Sequence, residues 1–269
     1  METQQGRELK MSANIKNMLN EIDALKTSLA EESSLNEGEL RRFRENFMVA
    51  YTYDSNAIEG STLTLSETAL VLLEGLTINK KPLRDHLDAI GHKDAFNYIV
   101  AKSKDVEPLT ERTIKEIHAL VFMADSINKG KYREVDIKIM GALDTPPSAF
   151  LVQEKLSQLL DSYNADERHP VEKIADFHIL FEFIHPFIDG NGRTGRLILN
   201  LELIKAGYLP INVKFKDREL YVSCFKDYHL TGKTDKFVEM VAKYELEELT
   251  EMNQISNSKK DLINGKSLK

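Results

Sequence analysis

Apolar residues recur at helical spacing along most of this chain. Ile15, Met18, Leu19, Ile22 and Leu25 form one stripe, the mark of a helix with a single buried face. The same period predicts helices at about 37–55, 65–73, 83–101, 111–123, 148–163, 171–184, 191–206, 218–230 and 235–248. Ser66 is the expected N-cap of the third of these. In 171–184, Ile174, Phe177, Phe181 and Ile184 share a face, and in 191–206 Leu197, Leu201 and Ile204 do so. One segment changes period. "KYREVDIKIMG" alternates Val135, Ile137 and Ile139 against Asp136, Lys138 and Met140. That alternation predicts a short strand or hairpin, followed by a loop at Pro146 and Pro147. One such segment in a helical chain is an appendage, so the expected fold class is all-α. The residues after Met252 are polar and are expected to fray.

The helical pattern is interrupted at "FEFIHPFIDGNGRTGRLILN". Pro186 cannot continue a helix and disfavours α geometry at His185, so a helix ends there. Asp189-Gly190-Asn191-Gly192 is turn chemistry, and the apolar period resumes at Leu197. A second helix therefore starts near Asn191 or Gly192, and the free N–H groups of its first turn make an anion cradle. Arg193 and Arg196 lie three residues apart, on one face beside that cradle. Two guanidinium forks at an amide cradle suit a polyphosphate. Asp189 is a hard oxygen ligand suited to Mg²⁺, and His185 is placed to act as a general base. A lone His-Pro or a lone Asp-Gly turn is usually structural, but packing does not explain both together with Asn-Gly and two arginines.

A metal reading of the same stretch uses His178, Glu182 and His185, spaced His-x-x-x-Glu-x-x-His. Di-iron bundles need a second Glu-x-x-His pair. The chain has none, and that reading leaves the glycines and arginines without a role.

Composition narrows the setting. The chain has 269 residues, of which 42% are hydrophobic, enough for one large domain or two small ones. A net charge of −7 argues against a nucleic-acid partner held by a broad basic face. Cys224 is the one cysteine, so no intrachain disulfide forms, which fits a reducing compartment. The N-terminal "METQQGRELK" lacks a signal-peptide core, and the longest apolar run is far too short for a bilayer. A cytoplasmic protein without a membrane partner is the expectation.

"HPFIDGNGRTGR", residues 185–196, resembles the signature of the Fic-domain family, His-Pro-Phe-x-Asp/Glu-Gly-Asn-Gly-Arg-x-x-Arg, at every specified position. The segment 133–140 with its Pro-Pro loop resembles that family's flap, and "GYLP" and "DRELY" further on are also similar. The resemblance implies a Fic-type helical bundle with a short β-hairpin flap near the active site. It divides the chain into an N-terminal helical region (1–105), a catalytic core (106–250) and a polar tail (251–269). It also implies transfer of AMP from ATP to a Ser, Thr or Tyr hydroxyl of a target protein. His185 would deprotonate the hydroxyl, and Phe187 would anchor the loop. Asp189 would carry Mg²⁺. The backbone of Gly190, Asn191 and Gly192, with the Asn191 side chain, would bind the α- and β-phosphates. Arg193 would hold the β-phosphate and Arg196 the γ-phosphate, and Tyr221 and Tyr228 would touch adenine. The target would pair with the exposed edge of the flap. Self-modification and a homodimer are both compatible with the family.

Upstream, "SNAIEG" resembles an inhibitory motif of one Fic class, Ser/Thr-x-x-x-Glu-Gly/Asn, through Ser55, Glu59 and Gly60. Read without the family, it is a helix C-terminus with a glycine cap. Read with it, Glu59 would pair with Arg196 and block productive ATP binding, and would also serve in removal of AMP. The alternatives are transfer of phosphate or another nucleotide on the same fold, and a non-catalytic toxin or regulatory binding module.

Overall fold

The computed structural model describes residues 4–32, 35–139 and 145–266. They form ten α-helices: α1 (Gln4–Glu32), α2 (Glu37–Ile58), α3 (Leu65–Glu74), α4 (Leu83–Lys102), α5 (Glu111–Val121), α6 (Val152–Ala165), α7 (Pro170–Ile184), α8 (Asn191–Lys205), α9 (Arg218–Thr231) and α10 (Asp235–Lys266). Single 3₁₀ turns precede α6 and α9. Every helix expected from periodicity is present, because each carries an apolar face that packs on a neighbour. In α5, Ile114, Ile117 and Val121 are fully buried, and that face lies against α4 and α8.

Helix α8 is the centre. Leu197, Ile198, Leu199, Leu201 and Leu203 are all buried, and α2, α4, α5 and α7 pack around it. Fully burying each such side chain contributes about 1.5–3 kcal/mol. A helix buried on all sides is a rigid post, so whatever its first turn carries is held in place by the core.

Local signals set the ends. Thr64, not Ser66, caps α3: its hydroxyl accepts from Glu67 N, and the Glu67 carboxylate accepts from Thr64 N. The capping box wins because Glu67 sits three residues after Thr64, while Ser66 has no such partner three residues on. Helix α2 ends at Ile58 with Glu59 as its C-cap, and Gly60 follows at φ 95°. A positive φ that suits glycine terminates the helix there.

Two expectations are corrected. The expected strand at 133–140 is absent among the described residues, and Met140 lies outside them. The alternation survives as half-buried Ile137 and Ile139 between exposed Asp136 and Lys138. A strand also needs a partner to exchange N–H···O bonds, and no second strand runs beside it among the described residues. The tail, in turn, does not fray where it is described. Helix α10 continues to Lys266 because α1 runs alongside it. Asn14 donates to Glu239, and Asn253 donates to the Leu25 carbonyl. No helix among the described residues is long and apolar enough to cross a membrane.

Candidate active site

Helix α7 stops at His185, which takes a left-handed conformation (φ 48°, ψ 63°) while its N–H still bonds Phe181 O. Pro186 enforces the stop, and the left-handed turn swings the chain away from the helix axis. A non-glycine residue held in this region is strained by about 1–3 kcal/mol. Neighbouring contacts hold it. Arg133, buried in the loop after α5, donates Nε to His185 O, and its backbone N–H donates to Pro186 O. The same guanidinium donates to the carbonyls of Val135 and Pro147. One side chain thus ties the loop after α7 to the segment expected to act as the flap.

The loop closes on itself as well. The Asn191 side chain accepts from Phe187 N and donates to Phe187 O, both at 2.9 Å. Asn191 is buried, so its amide staples the turn rather than pointing at a phosphate, as the resemblance had implied. Phe187 is fully buried and stacks face to face on His118 at 3.7 Å between ring centroids. His118 donates Nε2 to Asp189 O and accepts at Nδ1 from Gly130 N. Those two bonds fix a neutral tautomer, and burial pushes its pKa down to about 4. Gly190 takes φ 77° where α8 begins, a conformation that favours glycine.

His185 is itself set up as a base. Its Nδ1 faces the Glu182 carbonyl at 3.2 Å. A carbonyl only accepts, so Nδ1 carries the proton and Nε2 keeps its lone pair. Desolvation lowers the imidazole pKa below its usual value, which keeps it neutral near pH 7. Burial pushes the Glu182 carboxyl up to about 8, against the opposing pull of Arg196. Both groups are therefore neutral, and their 3.9 Å approach is not an ion pair.

The two arginines point different ways for their counter-charges. Arg193 pairs with Asp88 of α4 at 2.8 Å. Arg196 donates Nε to the Ser55 hydroxyl and Nη2 to both the Ser55 carbonyl and the Glu59 carboxylate, the last at 2.8 Å. Both guanidiniums are 2% exposed. Arg193 Nε and Arg196 Nη1 are buried without a hydrogen-bond partner. Such donors cost about 1–3 kcal/mol each until an acceptor arrives, and an anion at this helix N-terminus would supply one. Glu59 reaches across Gly192: a Cβ there would lie 2.2 Å from its Oε1. Glycine is needed for that approach.

Asp189 is half exposed. Its Oδ1 accepts from Gly190 N, and its Oδ2 meets Arg84 Nη2 at 2.6 Å. A single carboxylate beside an anion cradle is the donor set Mg²⁺ takes when phosphate oxygens and water complete its shell, so the residues present fit that ion. Among the described residues no three His, Cys, Asp or Glu side chains gather as a metal cluster. His178 Nε2 is engaged by the Tyr221 hydroxyl at 2.7 Å.

Tyr221 lies under Arg196, with the guanidinium 5.7 Å from its ring centroid. At 4% exposure it shows no free face to a base. Tyr228 is partly buried and meets Phe183 edge-on. Sequence reasoning missed Arg84, Asp88, His118 and Arg133. His118 left a faint signal, a histidine on the apolar face of α5. The others are charges on ordinary helices or loops and carry no local mark.

This geometry meets its match in known proteins. The Fic/DOC family matches residues 108–203. Protein adenylyltransferase fic-1 of Caenorhabditis elegans is 33% identical over 211 residues, covering 76% of this chain and 41% of that protein. A solved structure of Fic-1 from C. elegans, residues 134–508, superposes with a TM-score of 0.83 at 29% identity, covering 95% of this chain and 76% of that one. A Fic-domain signaling protein from Bacteroides thetaiotaomicron gives 0.80 at 26% identity, covering 91% and 97%. The chain belongs to the Fic/DOC family, and the segment 185–196 lies inside the matched residues. It spans about two-fifths of the length of the curated relatives it matches.

Proposed function

We propose that the protein is an adenylyltransferase that moves AMP from ATP to a Ser, Thr or Tyr hydroxyl of a target protein. The observation that carries this reading is convergence at the start of α8: a neutral His185 with Nε2 free, Asp189, and two buried guanidiniums with unused donors. The relatives named protein adenylyltransferases point to the same chemistry. His185 Nε2 takes the hydroxyl proton as the oxygen attacks the α-phosphorus, and the bond to the pyrophosphate oxygen breaks. Arg193 and Arg196 stabilise the charge on the departing pyrophosphate, a preorganised electrostatic role. Mg²⁺, when bound, would neutralise phosphate charge from Asp189. The segment around 133–139 would pair with the target backbone, which orders a hydroxyl near His185 without dictating the target's sequence.

In this reading Glu59 restrains the enzyme. Its carboxylate occupies the Arg196 fork and the space over Gly192, where a γ-phosphate would otherwise sit. In the same reading Glu59 would also orient a water for removal of AMP, a second activity of the same site. Transfer of phosphate or another nucleotide, and partner binding without turnover, are the rival readings.

Labelling the purified chain and candidate targets with α-³²P- or γ-³²P-ATP separates them. The expected result is α-label only, stronger in Glu59→Gly and lost in His185→Ala. Persistent label in His185→Ala removes the base. Transfer of γ-label identifies phosphate transfer, and no label in Glu59→Gly favours the binding module.

A further inference from the structure

Asp189 has one outward oxygen, and a cation from another helix already sits on it. Arg84, near the start of α4, places Nη2 2.6 Å from Asp189 Oδ2. The inner oxygen, Oδ1, is engaged by Gly190 N–H. The Asp189 carbonyl accepts from His118, which holds the backbone that presents the carboxylate to Arg84. We propose that Arg84 is a counter-ion gate on Asp189, which a divalent cation must displace to bind. The proposal rests on the reading of Asp189 as the metal ligand and names a residue that sets how readily the metal enters.

The geometry makes the competition direct. Mg²⁺ sits about 2.0–2.1 Å from a carboxylate oxygen. A guanidinium nitrogen 2.6 Å from that same oxygen fills the approach and repels the incoming charge. One must leave. Arg84 can do so cheaply, because its side chain is 61% exposed and no buried packing is lost when it swings away. It also has a second hold: Arg84 Nε lies 3.5 Å from Asp88 Oδ2, one turn along α4. Asp88 therefore tethers the displaced arginine beside the site while its other oxygen keeps Arg193. The chain Arg193–Asp88–Arg84–Asp189 alternates in charge, and Arg84 is its one member with a largely exposed side chain and no backbone anchor at the loop.

Mn²⁺ serves as the probe, titrated by electron paramagnetic resonance into full-length protein holding a non-hydrolysable α,β-methylene ATP analogue. The background is Glu59→Gly, so that the nucleotide is not excluded. Arg84→Ala is expected to reach half-saturation at about two- to fivefold lower free Mn²⁺, the range a surface ion pair supplies. Asp189→Asn is expected to bind Mn²⁺ far more weakly. Arg41→Ala removes an equal charge on α2, seventeen residues before its last residue and so about 25 Å along the helix axis, and should leave the curve unchanged. Binding by Arg84→Ala equal to or weaker than the parent overturns the gate. So does an equal gain in Arg41→Ala, which would make the effect one of net charge, or unchanged binding in Asp189→Asn. A Mn²⁺ shift as expected, in a protein that transfers no AMP, sinks the proposed activity and leaves the gate standing.

Discussion

Two carboxylates from the N-terminal helices meet two arginines one turn apart on α8, and the two meetings differ in kind. Asp88 lies within α4, its side chain 12% exposed, and holds Arg193 from inside the helical scaffold. Glu59 lies one residue past the end of α2, its side chain 41% exposed, followed by Gly60 at a positive φ. A charge in the middle of a packed helix leaves only if the helix leaves. A charge at a frayable terminus leaves by rotating a few bonds. Asp88 is therefore built into the scaffold that holds Arg193, whereas Glu59 is placed where it can leave Arg196 without unpacking a helix.

Several changes test that contrast. The largest effect comes from joining release with loss of the base. Activity gained in Glu59→Gly should fall about 10²–10⁴-fold on adding His185→Ala, read as moles of AMP per mole of protein by intact mass. A smaller loss would mean that the released enzyme does not use His185.

Next come the carboxylates themselves. Asp88→Asn leaves a buried guanidinium without its counter-charge and should lower stability by about 3 kcal/mol. Glu59→Gly removes a carboxylate whose side chain is 41% exposed and leaves buried Arg196 its two bonds to Ser55, so it should cost less, about 1–2 kcal/mol. Urea unfolding of the two variants decides, and equal losses would erase the distinction between scaffold and restraint.

A third carboxylate near Arg196 sharpens the picture. Burial raises the Glu182 pKa from 4.5 to about 8. The folded state then holds a proton that the unfolded state releases, so its contribution to stability falls as pH rises from about 4.5 to about 8. Glu182→Gln cannot ionise. Its melting temperature should exceed wild type at pH 8, and the difference should shrink towards pH 5. A pH-independent difference would mean that Glu182 is ionised in the fold and competes with Glu59 for Arg196.

The smallest effect is expected at Tyr221→Phe. It removes the hydroxyl that bonds His178 but keeps the ring under Arg196, so stability should fall by about 1 kcal/mol. A calorimetric melt measures it. A fall in ATP affinity to the adenine-free triphosphate level would instead restore Tyr221 as a base contact.

Much of the molecule was legible in one dimension. Helix periodicity located all ten helices, because each needs an apolar face whatever it packs on. Pro186 and the glycines at 190 and 192 announced a break and a restart, since backbone geometry there depends on residue type alone. Strand alternation misled, because a strand exists only with a partner and 133–139 has none among the described residues. Polarity after Met252 misled too, because pairing with α1 holds α10 in register and no local pattern records that support.

By itself, the sequence determined that a histidine, an aspartate, an amide cradle and two arginines stand together, because twelve contiguous residues carry them. It also marked Glu59 as a candidate partner for Arg196. Only the tertiary structure decided the rest: that the Asn191 amide is consumed by Phe187, that His118 and Arg133 brace the loop, and that Arg84 and Asp88 complete its charges. Apart from Asn191 and Phe187, four positions apart, those contacts join residues from just over 50 to more than 100 positions apart. Coulomb attraction and hydrogen bonding depend on distance in space, and spacing along a chain says nothing of that until the core has packed.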